Sequence, residues 1–432
     1  MSLKSYFVRS YSTGFVNVAG SAISVALLIP IIISIVGLDQ WGIWAMLSIF
    51  LGLGTAAELG VGKSLVYYLP KAKSECERSR IYSSSILINR VGLLAMLFLV
   101  TGLYLTNLGN PFELKAIPPY LSDVILVAGI SLLSLLVLTS PYRGALEGSL
   151  KIDLVNIGFF IQSTLIYVVL FVVVSLGGMA LSMIVSTVLV FVLVFVFHSL
   201  MVSRKTSLGW RRPAFQNVRE VLRFSSGIYL VGLINSLIIP INRGLVVFFS
   251  EDIINYAEFD ISLRFGLMAL SALAVFTSPL LGVLSDKDGL GPIKSRKLIY
   301  RSSLLVLSLA IAGNVVFYLF GSKLLGFFLD QNNTIEIYRM TMTILVGLSI
   351  FGIAEPFKRA LFAWGALRDL LVINILFIGA NLAIFAVISV DSMELRVAIS
   401  YSVSAALIGI ISIAWTIYKM QIFIPLSSHE KS

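Results

Sequence analysis

Charge is scarce in this chain. Asp, Glu, Lys and Arg make up 12% of its 432 residues, while 58% are hydrophobic, and the mean hydropathy is +0.97. A soluble domain needs far more polar surface, so an integral membrane protein is implied. Cysteine is all but absent. Cys76 stands alone, which excludes an intrachain disulfide and a cysteine metal site. Histidine is nearly as rare: His198 ends an apolar stretch and His429 sits in the tail, so no histidine metal site is expected. There is no Walker A sequence and no Ser/His/Asp arrangement, so no cofactor is implied and an enzyme is not expected. Without a nucleotide site, uphill work must come from an ion gradient or from the substrate's own gradient. No cleavable signal peptide is evident either. The first apolar stretch, Ser12 to Val36, is longer than a signal core and is read as a retained span.

What is abundant is long apolar sequence. Twelve stretches reach the roughly 20 residues a bilayer core requires. They run approximately 12–36, 42–69, 81–108, 121–142, 154–176, 178–200, 224–249, 256–284, 298–320, 336–361, 371–390 and 397–418. Pro30, Pro240 and Pro279 fall inside spans, where neighbouring helices can satisfy the freed backbone groups. The net charge of +10 is explained by basic loops on one side rather than by nucleic acid. Lys and Arg concentrate at the N-terminus, in every even-numbered loop and in the tail, whereas the odd-numbered loops hold only Lys115, Lys323 and Arg396. Both termini are therefore expected in the cytoplasm.

The chain also repeats itself about half its length apart. Ser140-Pro-Tyr-Arg-Gly-Ala-Leu146 is echoed by Glu355-Pro-Phe-Lys-Arg-Ala-Leu361, and each copy is followed by an Asp and an Asn, Asp153 and Asn156 or Asp369 and Asn374. Such an echo predicts two homologous bundles. The expected fold is all-α and polytopic, with about 12 transmembrane helices in two six-helix lobes. A pseudo-two-fold axis along the membrane normal should relate them, because an even number of spans inserts both the same way up. The expected domains are 1–200 for the N-terminal lobe, 201–223 for a basic cytoplasmic linker and 224–432 for the C-terminal lobe with a short tail. The linker's end places Phe215, Val218, Val221 and Leu222 near one helical face, which predicts an interfacial helix.

Ionisable groups inside spans cost about 2.5–3.5 kcal/mol at a helix centre, so each needs a reason. Glu58 and Arg90 fall at similar depths in the second and third spans. They are read either as a bridge between adjacent helices or as cavity groups, with Arg90 binding an anion and Glu58 carrying a proton. Lys63 lies one turn from Glu58 and either snorkels or joins the cavity. Arg243 lies beside Asn235, Pro240 and Asn242, a polar cluster that predicts an irregular, cavity-lining segment. Arg264 is either a cavity cation or a snorkelling one. The repeated motif places Arg143 with Glu147, and Glu355 with Arg359, at i, i+4. These are supporting helix pairs, or else Arg143, Lys358 and Arg359 form a basic rim at the cytoplasmic mouth. Gly52, Gly54, Gly60 and Gly62 suit close helix packing.

Several of these pieces together resemble the multidrug/oligosaccharidyl-lipid/polysaccharide (MOP) exporter superfamily. Gln40-Trp-Gly-Ile-Trp-Ala45 is similar to the family's aromatic-glycine start of helix two. Ala57-Glu-Leu-Gly-Val-Gly-Lys-Ser64 is similar to its acidic-Leu-Gly-x-Gly segment, where Asp is commoner than Glu. Asn255-Tyr-Ala257 with Arg264 is similar to the start of helix eight. With the doubled motif and the basic sixth loop, the chain most resembles the polysaccharide transporter family and its Wzx-type O-antigen flippases. The resemblance implies a MATE-like fold in the bacterial cytoplasmic (inner) membrane. It implies an undecaprenyl-pyrophosphate-linked oligosaccharide as substrate, moved by alternating access for surface polysaccharide and lipopolysaccharide synthesis. Membrane lipids, a proton or sodium gradient and polysaccharide polymerase machinery are the partners it suggests. Arg90, Arg243, Arg264 and Lys63 would be the cavity cations and Glu58 the coupling or structural carboxylate. The rivals are an ion-coupled multidrug exporter of the same fold and a membrane polysaccharide polymerase or ligase. The exporter typically carries an acid in the first span, which this chain lacks; the enzyme generally needs a large external loop, also lacking.

Overall fold

The computed structural model describes residues 3–57, 60–105, 119–250, 252–285, 292–327, 331–390 and 392–423. The protein is all-helical. It divides into two compact units, Met1–Ala257 and Glu258–Ser432. Ten helical stretches among the described residues are long and apolar enough to cross a membrane, and the chain is a multi-pass membrane protein. The other two expected spans are also helical. One is interrupted, as α3 (Leu47–Ala57) and α4 (Val61–Tyr68). The other is α10 (Ile253–Ser285), whose 33 residues reach about 50 Å at 1.5 Å per residue.

The first unit opens with α1 (Leu3–Ile23), a π-helical stretch (Ser24–Leu28) and α2 (Ile29–Ala45). Pro30 explains the π stretch. Its ring would meet the carbonyl one turn back, and the wider coil leaves room for it. Gly37, at φ 82°, breaks α2 into the end of the first span and the start of the second. Asn156 on α7 (Ile152–Ser175) donates to Thr13 Oγ1 (2.9 Å), and Ser163 donates to Asn17 Oδ1 (3.1 Å). These two rungs join α7 to α1, the kind of interhelical bond worth about 0.6–2 kcal/mol in a membrane.

The glycines of the second span are packing residues. Gly54 abuts Leu136 on α6 (Pro119–Gly148), and Gly52 abuts Pro240 on α9 (Phe215–Phe249). Gly60, at φ 67°, begins α4, and a Cβ there would lie 3.0 Å from the Ser225 carbonyl. Gly62 lies directly against Gly144, backbone on backbone. Around this contact Val61, Leu65, Ile81, Ala145, Leu146 and Val221 form one buried cluster, with Val218 packed against it.

That cluster corrects one expectation. The segment read as a separate interfacial helix is the first part of α9, which runs unbroken from Phe215 to Phe249. Val218 and Val221 turn into the core, while Phe215 and Leu222 stay exposed. Because α8 (Ala180–Lys205) continues to Lys205, the non-helical connection narrows to residues 206–214.

In the second unit, α12 (Gln331–Ile353) is central. Ser262 of α10 donates to the Ile337 carbonyl (3.1 Å). Ser303 of α11 (Pro292–Gly326) donates to the Ile353 carbonyl (3.0 Å). Gly347 meets the backbone of Ser402 on α15 (Met393–Phe423). The chain breaks at Ala354 and resumes as α13 (Glu355–Ala363), with Pro356 in its first turn. Finally α14 (Leu367–Val387) is tied to α15 by the Asp369–Lys419 ion pair (3.3 Å) and by the stacked rings of Phe377 and Tyr401.

Candidate functional site

The aromatic-glycine segment is a clamp within the first unit. Gln40 Oε1 accepts the Ala180 N–H at the start of α8 (3.1 Å), and Trp44 Nε1 donates to Thr187 Oγ1 (2.8 Å). Gly42 leaves room for Ile253 and Ala257, and Tyr256 donates to the Ala45 carbonyl (3.0 Å). The segments resembling family motifs at 40–45 and 255–257 therefore pack on each other. An indole N–H buried in an apolar setting needs an acceptor, and Thr187 supplies it.

The predicted cations fall into different settings. Arg90 is exposed, on α5 (Glu75–Leu105), about 22 Å along the helix from its start. It lies beside a face that shows Leu87, Val91, Leu94 and Phe98. Lys63 is exposed on α4. Neither makes a hydrogen bond or ion pair with a side chain among the described residues. Glu58, the proposed partner of Arg90, lies outside the described residues. Arg243 is only 5% exposed and donates through Nη1 to the Ser48 carbonyl of α3 (2.8 Å). Its neighbour Asn242 donates to the Ile238 carbonyl (2.7 Å), two residues before Pro240. Of that polar cluster, Arg243 makes the α3–α9 contact and Asn242 bonds within α9, which runs through Pro240 as continuous helix where an irregular segment was expected.

Arg264 is partly buried and bonds Asp260 one turn earlier (2.5 Å). Asp260 is fully buried, and Glu258 nearly so. These two acids were missed, although their spacing was readable: Asp260 and Arg264 stand at i, i+4. They fell near the expected edge of the span, where acids are unremarkable. Glu394, in the first turn of α15, is another buried acid that went unread.

At the doubled motif the inward residues agree. Ala145 and Leu146 are fully buried, and so are Ala360 and Leu361. Arg143 lies over the Phe159 ring (5.2 Å). In the second copy Glu355 holds both Lys358 (2.5 Å) and Arg359 (3.8 Å), and Lys358 also lies over Phe351 (3.6 Å). The expected Glu355–Arg359 pair is present, with Lys358 the closer partner.

A cavity of about 400 Å³ lies between α10, α11 and α12. Phe265, Ala272, Phe317 and Phe320 make it mainly apolar, and Asn314, bonded to Ser349 (2.6 Å), is a polar feature of its wall. Gly313 also lines it, and a Cβ there would meet nothing within 4 Å.

No protein-family model and no curated protein sequence matches the chain. Solved structures do. The lipid II flippase MurJ, in an inward closed conformation, has a TM-score of 0.71 at 15% identity, over 97% of this chain and 89% of that one. The MATE transporter VcmN of Vibrio cholerae has a TM-score of 0.69 at 15% identity, over 97% and 98%. An inward-facing multidrug resistance MATE transporter of the MOP superfamily has a TM-score of 0.67 at 14% identity, over 99% and 97%. The chain thus has the fold that MATE transporters and a lipid flippase share.

Proposed function

We propose that this protein is a flippase of the MOP type. It carries an undecaprenyl-pyrophosphate-linked oligosaccharide across the bacterial cytoplasmic membrane by alternating access of two six-helix lobes. The observation that carries this reading is the cation Arg90, deep in α5 with no ion-pair partner among the described residues. An exposed guanidinium at that depth is costly against lipid and is relieved by water or an anion. Arginine suits a pyrophosphate because its planar fork donates two parallel hydrogen bonds. Lys63 adds a second positive group on α4. Arg243 and Arg264 are already engaged by Ser48 and Asp260, so their part is to shape and balance the pathway. Arg143 in the first unit, and Lys358 with Arg359 in the second, are the basic groups that would meet an anionic substrate at the cytoplasmic side. Glu58 is the carboxylate through which a proton or sodium gradient would couple.

The lipid tail needs an apolar route. The α10–α12 cavity, at about 400 Å³, exceeds the roughly 150 Å³ that accommodates a benzene ring. It therefore has room for a hydrocarbon segment. The absence of an acid from the first span weighs against a drug exporter, whose cationic substrates favour acidic cavities.

The test is reconstitution. Proteoliposomes carrying a lipid-linked oligosaccharide in one leaflet are followed by a glycan-modifying enzyme outside, and parallel vesicles are loaded with a cationic dye. Glycolipid transfer above that of empty vesicles, with no dye transport, is the expected result. Dye transport without glycolipid transfer would replace this reading with the exporter.

A further inference from the structure

Where α5 begins and α6 and α8 end, the first unit leaves a cleft of about 350 Å³. Arg78 from the first turn of α5, Ser149 and Leu150 from the turn after α6, Lys205 from the end of α8 and Ser207 from the connection after it line the cleft. Its walls are fixed. At the end of α6, the Lys151 N–H bonds the Leu146 carbonyl (2.8 Å), and Leu150 takes a left-handed φ of 60°, which L-residues avoid. At the end of α8, Thr206 Oγ1 donates to the Val202 carbonyl (2.7 Å). The connection that follows is stapled to α5, since the Gly209 N–H bonds Ser79 Oγ (3.3 Å) and the Arg211 N–H bonds Ser83 Oγ (2.8 Å).

Among the described residues the cleft's cations, Arg78 and Lys205, stand without an acidic partner, and the hydroxyls of Ser149 and Ser207 make no hydrogen bond there. Glu77, next to Arg78 in sequence, is turned onto the Lys73 N–H (2.8 Å). Two like charges held in one cleft repel, and an anion between them removes that cost. The positive-inside rule accounts for basic residues in these loops, but it requires neither a cleft nor hydroxyls beside the cations. The rim carries an apolar group, Leu150, which is 55% exposed in the turn after α6; beyond the lining, Trp210 on the connection after α8 and Phe215 at the start of α9 are exposed as well. A free phosphate has no use for such a rim, whereas an amphiphile does.

We infer that this cleft binds the phosphate of an anionic membrane phospholipid. Arg78 and Lys205 would grip its oxygens and Ser149 and Ser207 would donate to them, while the acyl chains leave past Leu150. Basic groups at a membrane surface attract anionic headgroups, and charge-assisted bonds to phosphate are the strong ones. The inference requires only that the chain spans a membrane, so it stands or falls separately from the transported substrate.

Native mass spectrometry of the full-length chain in detergent tests it, with phosphatidylglycerol, phosphatidylcholine and inorganic phosphate as probes. Wild type should retain phosphatidylglycerol over phosphatidylcholine. Arg78→Ala with Lys205→Ala should lower that retention about tenfold, the scale of one lost charge-assisted bond. Arg211→Ala with Arg212→Ala removes the same charge outside the cleft and should change it less than about twofold. The charge-conserving pair Arg78→Lys with Lys205→Arg should keep binding, which guards against reading misfolding as lost binding. Equal retention of the two lipids, equal loss in both alanine pairs, or displacement by millimolar phosphate would overturn the assignment.

Discussion

The two copies of the repeated motif solve one packing problem with different residues. In each, the alanine and leucine turn fully inward, as Ala145 with Leu146 and Ala360 with Leu361. They differ one position earlier, where Gly144 corresponds to Arg359. In the first unit α4 lies on α6 with Gly62 against Gly144, leaving no space for a side chain. In the second unit the same position is 34% exposed and carries an arginine paired with Glu355. The backbone differs as well. Pro141 sits inside the continuous helix α6, whereas Pro356 opens the new helix α13 after the break at Ala354. Shared identity therefore marks the buried face, and divergence marks what each unit places on the other face.

Moving the second copy's residue into the first is the most severe exchange. Gly144→Arg should cost more than about 3 kcal/mol, since overpacking of a side chain costs 1–3 and here backbone must part. Thermal unfolding in detergent should show a large drop in midpoint or loss of folded protein. Ala145→Leu and Ala360→Leu sharpen the shared part. Each should destabilise by about 1–3 kcal/mol, and a cost confined to one copy would show that the buried faces are not equivalent. The reciprocal exchange, Arg359→Gly, should cost only about 1 kcal/mol, mostly the helix penalty of glycine. Glu355→Gln should also cost about 1 kcal/mol, because Lys358, only 12% exposed, loses its carboxylate while the amide oxygen can still accept its hydrogen bond. Gly313→Leu lies outside the motif and should leave stability within about 0.5 kcal/mol while slowing glycolipid transfer.

Much of the fold was legible because a membrane core imposes one simple demand, a long apolar run. The Gly37 break lies between the first two expected spans, and the Gly60 break falls inside the glycine-rich second span. Packing partners were harder to read. Nothing in the apolar sequence of α9 shows that Val221 joins Leu65 and Ala145 in one cluster, so its first turns looked like an interfacial helix. Hydropathy weighs residues singly and is blind to which helices touch. For the same reason it could not tell Arg243, bonded to the Ser48 carbonyl, from Arg90, which is exposed. The acid that neutralises Arg264 stands four residues away, but at a span edge hydropathy does not distinguish Asp260 from an ordinary interfacial acid.

The central claim is that an intramembrane cation handles an anionic lipid-linked substrate. The most direct measurement is the initial rate of glycolipid transfer in proteoliposomes for wild type, Arg90→Lys and Arg90→Ala, each with its unfolding midpoint. The account predicts that Arg90→Ala loses about tenfold or more in rate, that Arg90→Lys recovers part of it, and that all three unfold at similar temperatures. Wild-type transfer at an undiminished rate in Arg90→Ala would contradict it.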